Sequence, residues 1–406
     1  MPAVDFVNLL GVLVVALVAP LVLGFAPRVR VPAVVLEIVL GIVVGPSVLG
    51  WVEPDLAVQI VSLLGLAMLL FLAGLEIDVH RLRGRLLAYS AAGYVVSVVL
   101  GWSVGLALRG AGWLDDPLLL AVTVSATSLG LVVAVLKDAG AVDGRLGQTT
   151  IAASSVADFA AVLLLSLLFS GMDADPRSRL LLLGLFVGLV VLVGVAATLS
   201  SRSMRLGDVL ERLQDTTAEI RVRAAMLLLI AFVVFAEKFG LESILGAFMA
   251  GAAVGLVDRD ACSHPRFRVK LEAVGYGFLI PVFFVTSGLR LDVAGLLSSG
   301  SALARVPVFL LVLLLARGLP ALLYLGWFGP RRTAAVALLQ ATSLPFIVTA
   351  TQIGVLTGRL DPTTAAGLVC AGLVSVLVFP VTATTLGVRD PAPRPEVAVD
   401  PAARTA

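Results

Sequence analysis

Residues 125–158 read SATSLGLVVAVLKDAGAVDGRLGQTTIAASSVAD, two apolar segments joined by a polar turn. The first segment is interrupted by the polar letters SATS at 125–128, and the second contains one acid, Asp158. Asp158 is the only ionisable side chain in 147–169, a run long enough to cross a bilayer. An Asp at the centre of such a helix costs roughly 2.5 to 3.5 kcal/mol, so it usually lines a cavity, meets a partner or handles ions or protons. The alternative is a neutral acid hydrogen-bonded to a neighbouring Ser.

The composition is that of a membrane protein. The 406 residues are 59% hydrophobic and 14% charged, with a mean hydropathy of +1.07, whereas soluble domains contain about 25% charged residues. We therefore predict an all-α polytopic membrane protein, which excludes a soluble enzyme. The loops offer no nucleophile–base pair, so no enzyme activity is expected. The net charge of +2 gives no support for nucleic-acid binding. Cys262 and Cys370 lack metal-ligand spacing, so no cofactor is expected.

Apolar runs between charged or Pro/Gly-rich breaks predict about 13 transmembrane helices. The first is expected to be retained rather than cleaved as a signal peptide, because no basic region precedes it. The predicted spans are 6–26, 31–49, 56–77, 86–108, the two of the opening stretch, 180–199, 222–236, 243–257, 271–289, 306–328, 333–356 and 363–386.

Lys and Arg are concentrated in the loops that follow odd-numbered spans, whereas the intervening loops hold acids such as Asp115 and Asp116. Because basic loops stay inside, we predict a cell (inner) membrane protein with its N-terminus outside and its C-terminus in the cytoplasm. Both histidines, His80 and His264, fall in the predicted cytoplasmic loops. A solvated loop position is the simpler interpretation, and pH sensing is the alternative.

The letters ATSL at 126–129 recur at 341–344, seven spans later and therefore in the opposite direction through the membrane. Inverted repeats with matched helix breaks indicate a transporter site, because unwound backbone supplies carbonyls and helix ends at mid-membrane. Pro345 follows the second copy and removes a helical hydrogen bond. A chance match in a Ser/Thr/Ala-rich chain is the alternative. The residues predicted to form the two broken helices are Ser125, Ala126, Thr127, Ser128, Thr342, Ser343 and Pro345.

Ser154 and Ser155 precede Asp158 by four and three residues, so the three share one helix face. Together with hydroxyls and carbonyls at the first break, they could supply the oxygens that a monovalent cation requires. The alternative is that the serines pack helices together. The predicted ion- and proton-binding residues are Asp158, Thr127, Ser128, Ser154 and Ser155, and the predicted cation ligands are Asp158, Thr127 and Ser154.

Arg317 is the second deep charge, and arginine stays protonated in proteins. We expect it to face the same polar centre as Asp158. Snorkelling is disfavoured because the interface lies about 11 residues away at 1.5 Å per residue. Glu37 and Glu76 lie nearer to span ends: a helix contact is expected for Glu37, and an interface position near the arginines of the next loop for Glu76.

Taken in order, these motifs resemble the monovalent cation:proton antiporter-2 family of sodium/proton and potassium/proton exchangers. The residues concerned are Arg30-Val31-Pro32, Gly45-Pro46, Phe71-Leu72-Ala73-Gly74-Leu75-Glu76, Ser125-Ala126-Thr127-Ser128, Gly147-Gln148, Asp158, Gly246-Ala247-Phe248-Met249-Ala250-Gly251 and Pro281-Val282-Phe283-Phe284 with Gly288.

The resemblance implies an inverted-repeat antiporter fold with two crossing broken helices, a dimerisation part, a mobile core and elevator-type alternating access in a homodimer. It also implies that Asp158 is the ion- and proton-binding carboxylate, and that Arg317 stands where relatives hold Lys or Arg. The implied domains are 1–85 (dimerisation helices 1–3), 86–170 (core helices 4–6), 171–221 (linker helix 7 and a basic cytoplasmic loop), 222–298 (dimerisation helices 8–10), 299–386 (core helices 11–13) and 387–406 (a short cytoplasmic tail).

The sequence departs from the family pattern at several positions. Ala157 stands where many relatives place an acid, Asn or Gln, and Ser128 stands where sodium/proton exchangers often place Asp. The sequence Ser343-Leu344-Pro345-Phe346 lacks the acid of the potassium-efflux relatives. The tail after Gly387 is too short for the nucleotide-binding domain of some relatives.

The expected function is secondary active exchange of one monovalent cation, sodium or potassium, for one proton, with no net charge moved. The expectation of electroneutrality follows from Ala157, because it leaves Asp158 as a single carboxylate at mid-membrane. The alternatives are a sodium-coupled symporter of an organic solute and a membrane sensor that transports nothing.

Overall fold

The computed structural model describes residues 6–25, 32–76, 84–169, 219–257 and 265–388, together with Gly184 and Gly188. Every regular element in those ranges is helical, as predicted for an all-α protein. The helices are α1 (Val7–Phe25), α2 (Ala33–Val44), α3 (Leu56–Leu75), α4 (Gly84–Gly110), α5 (Pro117–Ser125), α6 (Leu129–Asp138), α7 (Arg145–Phe169), α8 (Ile220–Lys238), α9 (Ser243–Val257), α10 (Pro265–Val274), α11 (Ile280–Leu289), α12 (Val293–Leu297), α13 (Gly300–Leu313), α14 (Leu325–Phe328), α15 (Pro330–Gln340), α16 (Pro345–Leu356) and α17 (Pro362–Gly387).

Two long helices contain irregular turns. The π-helical turn Gly275–Leu279 joins α10 to α11, and α13 continues through the π-helical turn Leu314–Gly318 and the 3-10 helix Leu319–Tyr324 into α14. A π-helical turn inserts an extra residue into a helix and is frequently found at functional sites. The second turn carries Arg317.

Within the described ranges, 8 helical segments are long and apolar enough to cross a membrane, or 9 if the bent pair α15–α16 is counted as one span. Helices α2 and α9 are apolar but shorter. A multi-pass membrane protein is therefore confirmed. The number of about 13 helices stays a prediction, because the seventh predicted span, 180–199, lies outside the described residues except for Gly184 and Gly188.

The tenth and eleventh predicted spans begin earlier in the structure than the hydropathy indicates, and for the tenth α10 begins at Pro265 rather than at residue 271. The eleventh was placed at 306–328, whereas α13 begins at Gly300, where the side chain of Ser299 accepts a hydrogen bond from the backbone N–H of Ala302. Arg305 lies inside this helix because its guanidinium donates to Asp361 (3.3 Å) and to Thr364 (2.7 Å). A paired charge at a span end costs little, so it does not end the helix.

The helices pack into two groups. In the first, α2 and α3 pack against α11, α3 packs against α9, and α8 packs against α9. In the second, α4 packs against α5 and α7, while α17 packs against α13, α15 and α16. Small residues allow close contact within the first group: a Cβ at Gly251 of α9 would overlap the carbonyl oxygen of Phe71 in α3.

Candidate functional site

The first helix break is organised around the carboxylate of Asp158. Helix α5 ends at Ser125 and α6 begins at Leu129, so the intervening backbone is unwound. The backbone N–H of Thr127 donates to Oδ1 of Asp158 at 3.2 Å, and that of Leu129 donates to Oδ2 at 3.3 Å. The carboxylate thus faces the positive N-terminal end of α6, an arrangement that favours a negative charge.

The break also holds the buried guanidinium of Arg317. Its side chain is only 2% exposed. Nε and Nη2 donate to Oγ1 of Thr127 at 2.9 and 2.6 Å, and Nη1 donates to Oγ of Ser97 at 3.1 Å. Arg317 therefore does not snorkel. Thr127 connects Arg317 to Asp158, because its hydroxyl accepts from the guanidinium and its backbone N–H donates to the carboxylate.

The two breaks touch each other. Oγ1 of Thr127 donates to the backbone oxygen of Gln340 at 2.7 Å, and the N–H of Ser128 donates to the backbone oxygen of Thr342 at 2.9 Å. Thr127 thereby uses its single O–H as a donor and its lone pairs as acceptors for Arg317. Residues that lie 213 positions apart in sequence are joined by this hydroxyl. The predicted pair of broken helices is therefore present, and the breaks meet beside Asp158.

The second break is held by α17. The chain bends by 42° between α15 and α16, with Pro345 in the first turn of α16. Oγ of Ser375 accepts from the N–H of Ser343 at 3.3 Å and lies 3.1 Å from the oxygen of Ser343, to which it can donate. Pro345 has no N–H of its own, so it starts the new helix without leaving a donor unpaired.

The predicted serine ligands differ in what their hydroxyls contact. Ser154 is fully buried, and its Oγ has no hydrogen-bond partner among the described residues; the same holds for Oγ of Ser343. Oγ of Ser155 donates to the backbone oxygen of Ile151 at 2.9 Å, within its own helix. Ser128 lines the cavity described next. Cation binding by any of these hydroxyls stays a prediction.

A cavity of about 280 Å³ has Asp158 in its lining. It lies between the first helix group and the two breaks, and it reaches Tyr276, which is half exposed. Its lining is largely apolar. The lining residues are Val34, Leu69, Leu70, Ala73, Glu76, Thr127, Ser128, Leu129, Gly130, Leu131, Asp158, Val162, Phe248, Tyr276, Phe284, Pro345, Phe346 and Thr349.

Glu76 and Glu37 occupy different surroundings. Glu76 lines the cavity and is paired with Arg268 at 3.5 Å; the arginines of the loop predicted as its neighbours lie outside the described residues. Glu37 is 5% exposed on α2, which packs against α11, and so lies at a helix contact. His80, His264 and Cys262 also lie outside the described residues.

Several site atoms could not be chosen from the sequence. Ser97 is one of three serines in the fourth predicted span, and nothing in the sequence distinguishes it from the other two. The backbone oxygen of Gln340 cannot be identified from a side-chain pattern. The N–H of Leu129 had an indirect signal, because it directly follows the ATS letters of the break and a resumed helix exposes its first N–H groups.

A comparison with protein families shows which family this chain belongs to. The family model described as sodium/hydrogen exchanger, transmembrane, matches residues 13–389. The chain belongs to the sodium/hydrogen exchanger family. The resemblance to cation:proton antiporters drawn from the sequence motifs is thereby confirmed.

Curated members of the exchanger family are similar to this chain over much of its length. YjbQ of Bacillus subtilis, a proposed Na(+)/H(+) antiporter, is 30% identical over 393 residues, which cover 92% of this chain and 62% of YjbQ. The Na(+)/H(+) antiporter of Enterococcus hirae is 31% identical over 288 residues, which cover 70% of this chain and 73% of that protein. The chain thus spans less than two thirds of YjbQ.

The fold of the exchanger family is also found by structural comparison. The sodium proton antiporter MjNhaP1 from Methanocaldococcus jannaschii, solved at pH 8, superposes with a TM-score of 0.68 and 18% identity, covering 93% of this chain and 97% of that structure. The predicted antiporter fold is confirmed.

Proposed function

We propose that this protein exchanges one monovalent cation, sodium or potassium, for one proton across a cell membrane. The observation that carries the proposal is the carboxylate of Asp158, which lines a cavity at the meeting point of two broken helices. A membrane-embedded acid at matched helix breaks is typical of ion-coupled transporters. Membership of the sodium/hydrogen exchanger family, with relatives named as Na(+)/H(+) antiporters, supports the same activity.

The exchange uses Asp158 in two alternative states. With a proton, the carboxyl is neutral; with a cation, its charge is neutralised by the bound ion. When it is empty, the N–H groups of Thr127 and Leu129 stabilise the charged carboxylate. Ser128, Ser154 and carbonyls of the breaks are the proposed further oxygen ligands of the cation. Because one carboxylate accepts either ion, proton and cation compete.

Electroneutral exchange follows from the single carboxylate. Ala157 stands directly before Asp158 and contributes no second titratable group. The proton-loaded and the cation-loaded sites therefore carry the same charge, and a complete cycle moves none across the membrane.

Alternating access is proposed to occur by an elevator-type movement of the second helix group, the core (86–170 and 299–386), against a dimerisation part (1–85 and 222–298) in a homodimer. In support, the cavity lies between the two groups, whereas Arg317, Thr127 and the second break lie within the core and are mutually hydrogen-bonded. The bonded breaks can move as one body with Asp158. The orientation with the N-terminus outside is part of this proposal.

The experiment is reconstitution into liposomes, with lumenal pH followed after addition of sodium, potassium or lithium. We expect a cation-driven pH change whose rate is insensitive to an imposed membrane potential, and complete loss of that change in Asp158→Asn. Exchange by Asp158→Asn, or transport strongly driven by a membrane potential, would contradict the one-carboxylate mechanism. Proton-independent cation uptake would favour symport with an organic solute.

A further inference from the structure

We infer that Glu76 is an outer cation-capture site at the mouth of the cavity, and that Arg268 regulates its occupancy by competing with the incoming cation. This inference rests on the proposed exchange at Asp158 and concerns how the cation reaches it. The first observation is position: Glu76 and Asp158 line the same cavity, and no Lys, Arg or His lines it among the described residues. The side chain of Glu76 is 25% exposed and so is accessible to solvent.

Two features make this position attractive to a cation. Glu76 directly follows α3, and its N–H caps that helix by donating to the oxygens of Leu72 and Gly74. The C-terminal end of a helix dipole adds negative potential to that of the carboxylate. The narrow cavity beyond has an apolar lining, and a cleft with low-dielectric walls focuses the field of a charge at its mouth.

The ion pairs of Arg268 leave the carboxylate of Glu76 available to a cation. Nε of Arg268 donates to Glu272 at 2.9 Å, four residues along the same helix, whereas its Nη2 lies 3.5 Å from Glu76. Arg268 is 48% exposed, and exposed ion pairs of this kind are worth about 0 to 1 kcal/mol. The guanidinium can therefore leave Glu76 and remain paired with Glu272. A cation that arrives at Glu76 displaces a weakly held partner.

This arrangement predicts effects of opposite sign on the apparent KM. Glu76→Gln removes the capture site, so KM for sodium should rise roughly three- to tenfold while kcat is unchanged. Arg268→Gln removes the competitor, so KM should fall. Glu272→Gln releases Arg268 to bind Glu76 fully, so KM should rise. The double variant Glu76→Gln/Arg268→Gln should match Glu76→Gln, because Arg268 acts through Glu76.

The test is the rate of sodium-driven proton movement in proteoliposomes as a function of sodium concentration, at low ionic strength and again with added choline chloride. We expect the KM differences to shrink as the salt screens them, and Glu76→Asp to restore most of the wild-type KM. If Glu76→Gln does not fold, the opposite shifts of Arg268→Gln and Glu272→Gln decide the matter. An unchanged KM in Glu76→Gln, or an increased KM in Arg268→Gln, would overturn the inference.

These experiments distinguish a failure of the proposed capture site from a failure of the proposed exchange activity. If wild-type protein exchanges cations and Asp158→Asn does not, an unchanged KM in Glu76→Gln overturns only the capture site. If wild-type protein shows no exchange, the proposed function itself fails.

Discussion

At the scale of single residues, Thr127 connects the two deeply buried charged groups, Asp158 and Arg317. Its N–H binds Asp158, its hydroxyl accepts from Arg317, and the same hydroxyl donates to the oxygen of Gln340. The sequence predicted Thr127 and Asp158 as site residues because both are polar in apolar segments. It predicted that Arg317 lies at the same centre, and the structure adds that a hydroxyl lies between the two charges.

We expect Thr127→Val to destabilise the protein and to abolish exchange. The substitution preserves the shape and the backbone N–H but removes the hydroxyl, which leaves a buried guanidinium without two of its hydrogen bonds. Hydrogen bonds to charged groups contribute about 1.5 to 3 kcal/mol each, so a lowered thermal unfolding temperature in detergent is the expected readout. Thr127→Ser keeps the hydroxyl and is the matched control. A Thr127→Val protein as stable as wild type would show that the guanidinium finds another partner.

The neighbouring serines allow a second residue-scale prediction. Ser154 is buried with its hydroxyl unpartnered, whereas the hydroxyl of Ser155 is satisfied within its own helix. If Ser154 is a cation ligand, Ser154→Ala should weaken apparent cation affinity by about fivefold, the equivalent of one hydrogen-bond-sized interaction of roughly 1 kcal/mol. Ser155→Ala should change it much less. Equal effects of the two substitutions on cation-dependent exchange would remove Ser154 from the ligand set.

At the scale of helices, hydropathy located most spans but not their ends or their bends. The start of α13 was predicted too late because Arg305 interrupts the apolar run. A single-sequence pattern does not show that Asp361 pairs with this arginine. The π-helical turn that carries Arg317 also has no hydropathy signal, since it depends on contacts with α4 and the first break. By contrast, the repeated ATSL letters did locate both breaks, because a polar interruption of an apolar segment is visible locally and a Pro follows the second copy.

Close helix packing gives a prediction at this scale. Gly251→Ala should destabilise the first helix group, because the added methyl would overlap the carbonyl oxygen of Phe71 and force α3 and α9 apart. Overpacking of this kind typically costs 1–3 kcal/mol. Gly24→Ala in α1, where a Cβ meets no atom within 4 Å, is the control. The measurement is thermal unfolding of both variants in the same detergent, and equal stability would contradict the packing described for α3 and α9.

At the scale of the whole molecule, a cavity between the two helix groups ends at a carboxylate. Composition alone predicted the polytopic membrane class, and the order of motifs predicted the family and the fold. The shape of the cavity was not predictable, because its lining comes from separated stretches between residues 34 and 349 whose apolar side chains resemble any others in a membrane helix. For the same reason, the sequence did not show that Glu76 lines the same cavity as Asp158.

The central claim is that Asp158 alone holds either a proton or a cation. The most direct measurement is proton release on sodium or potassium binding to the purified protein in weakly buffered detergent solution, with bound cation measured in parallel. We predict about one proton released per cation bound, and loss of both binding and release in Asp158→Asn, because the amide has no titratable proton and no negative charge to balance the cation. Cation binding without proton release, or proton release retained in Asp158→Asn, would contradict the account.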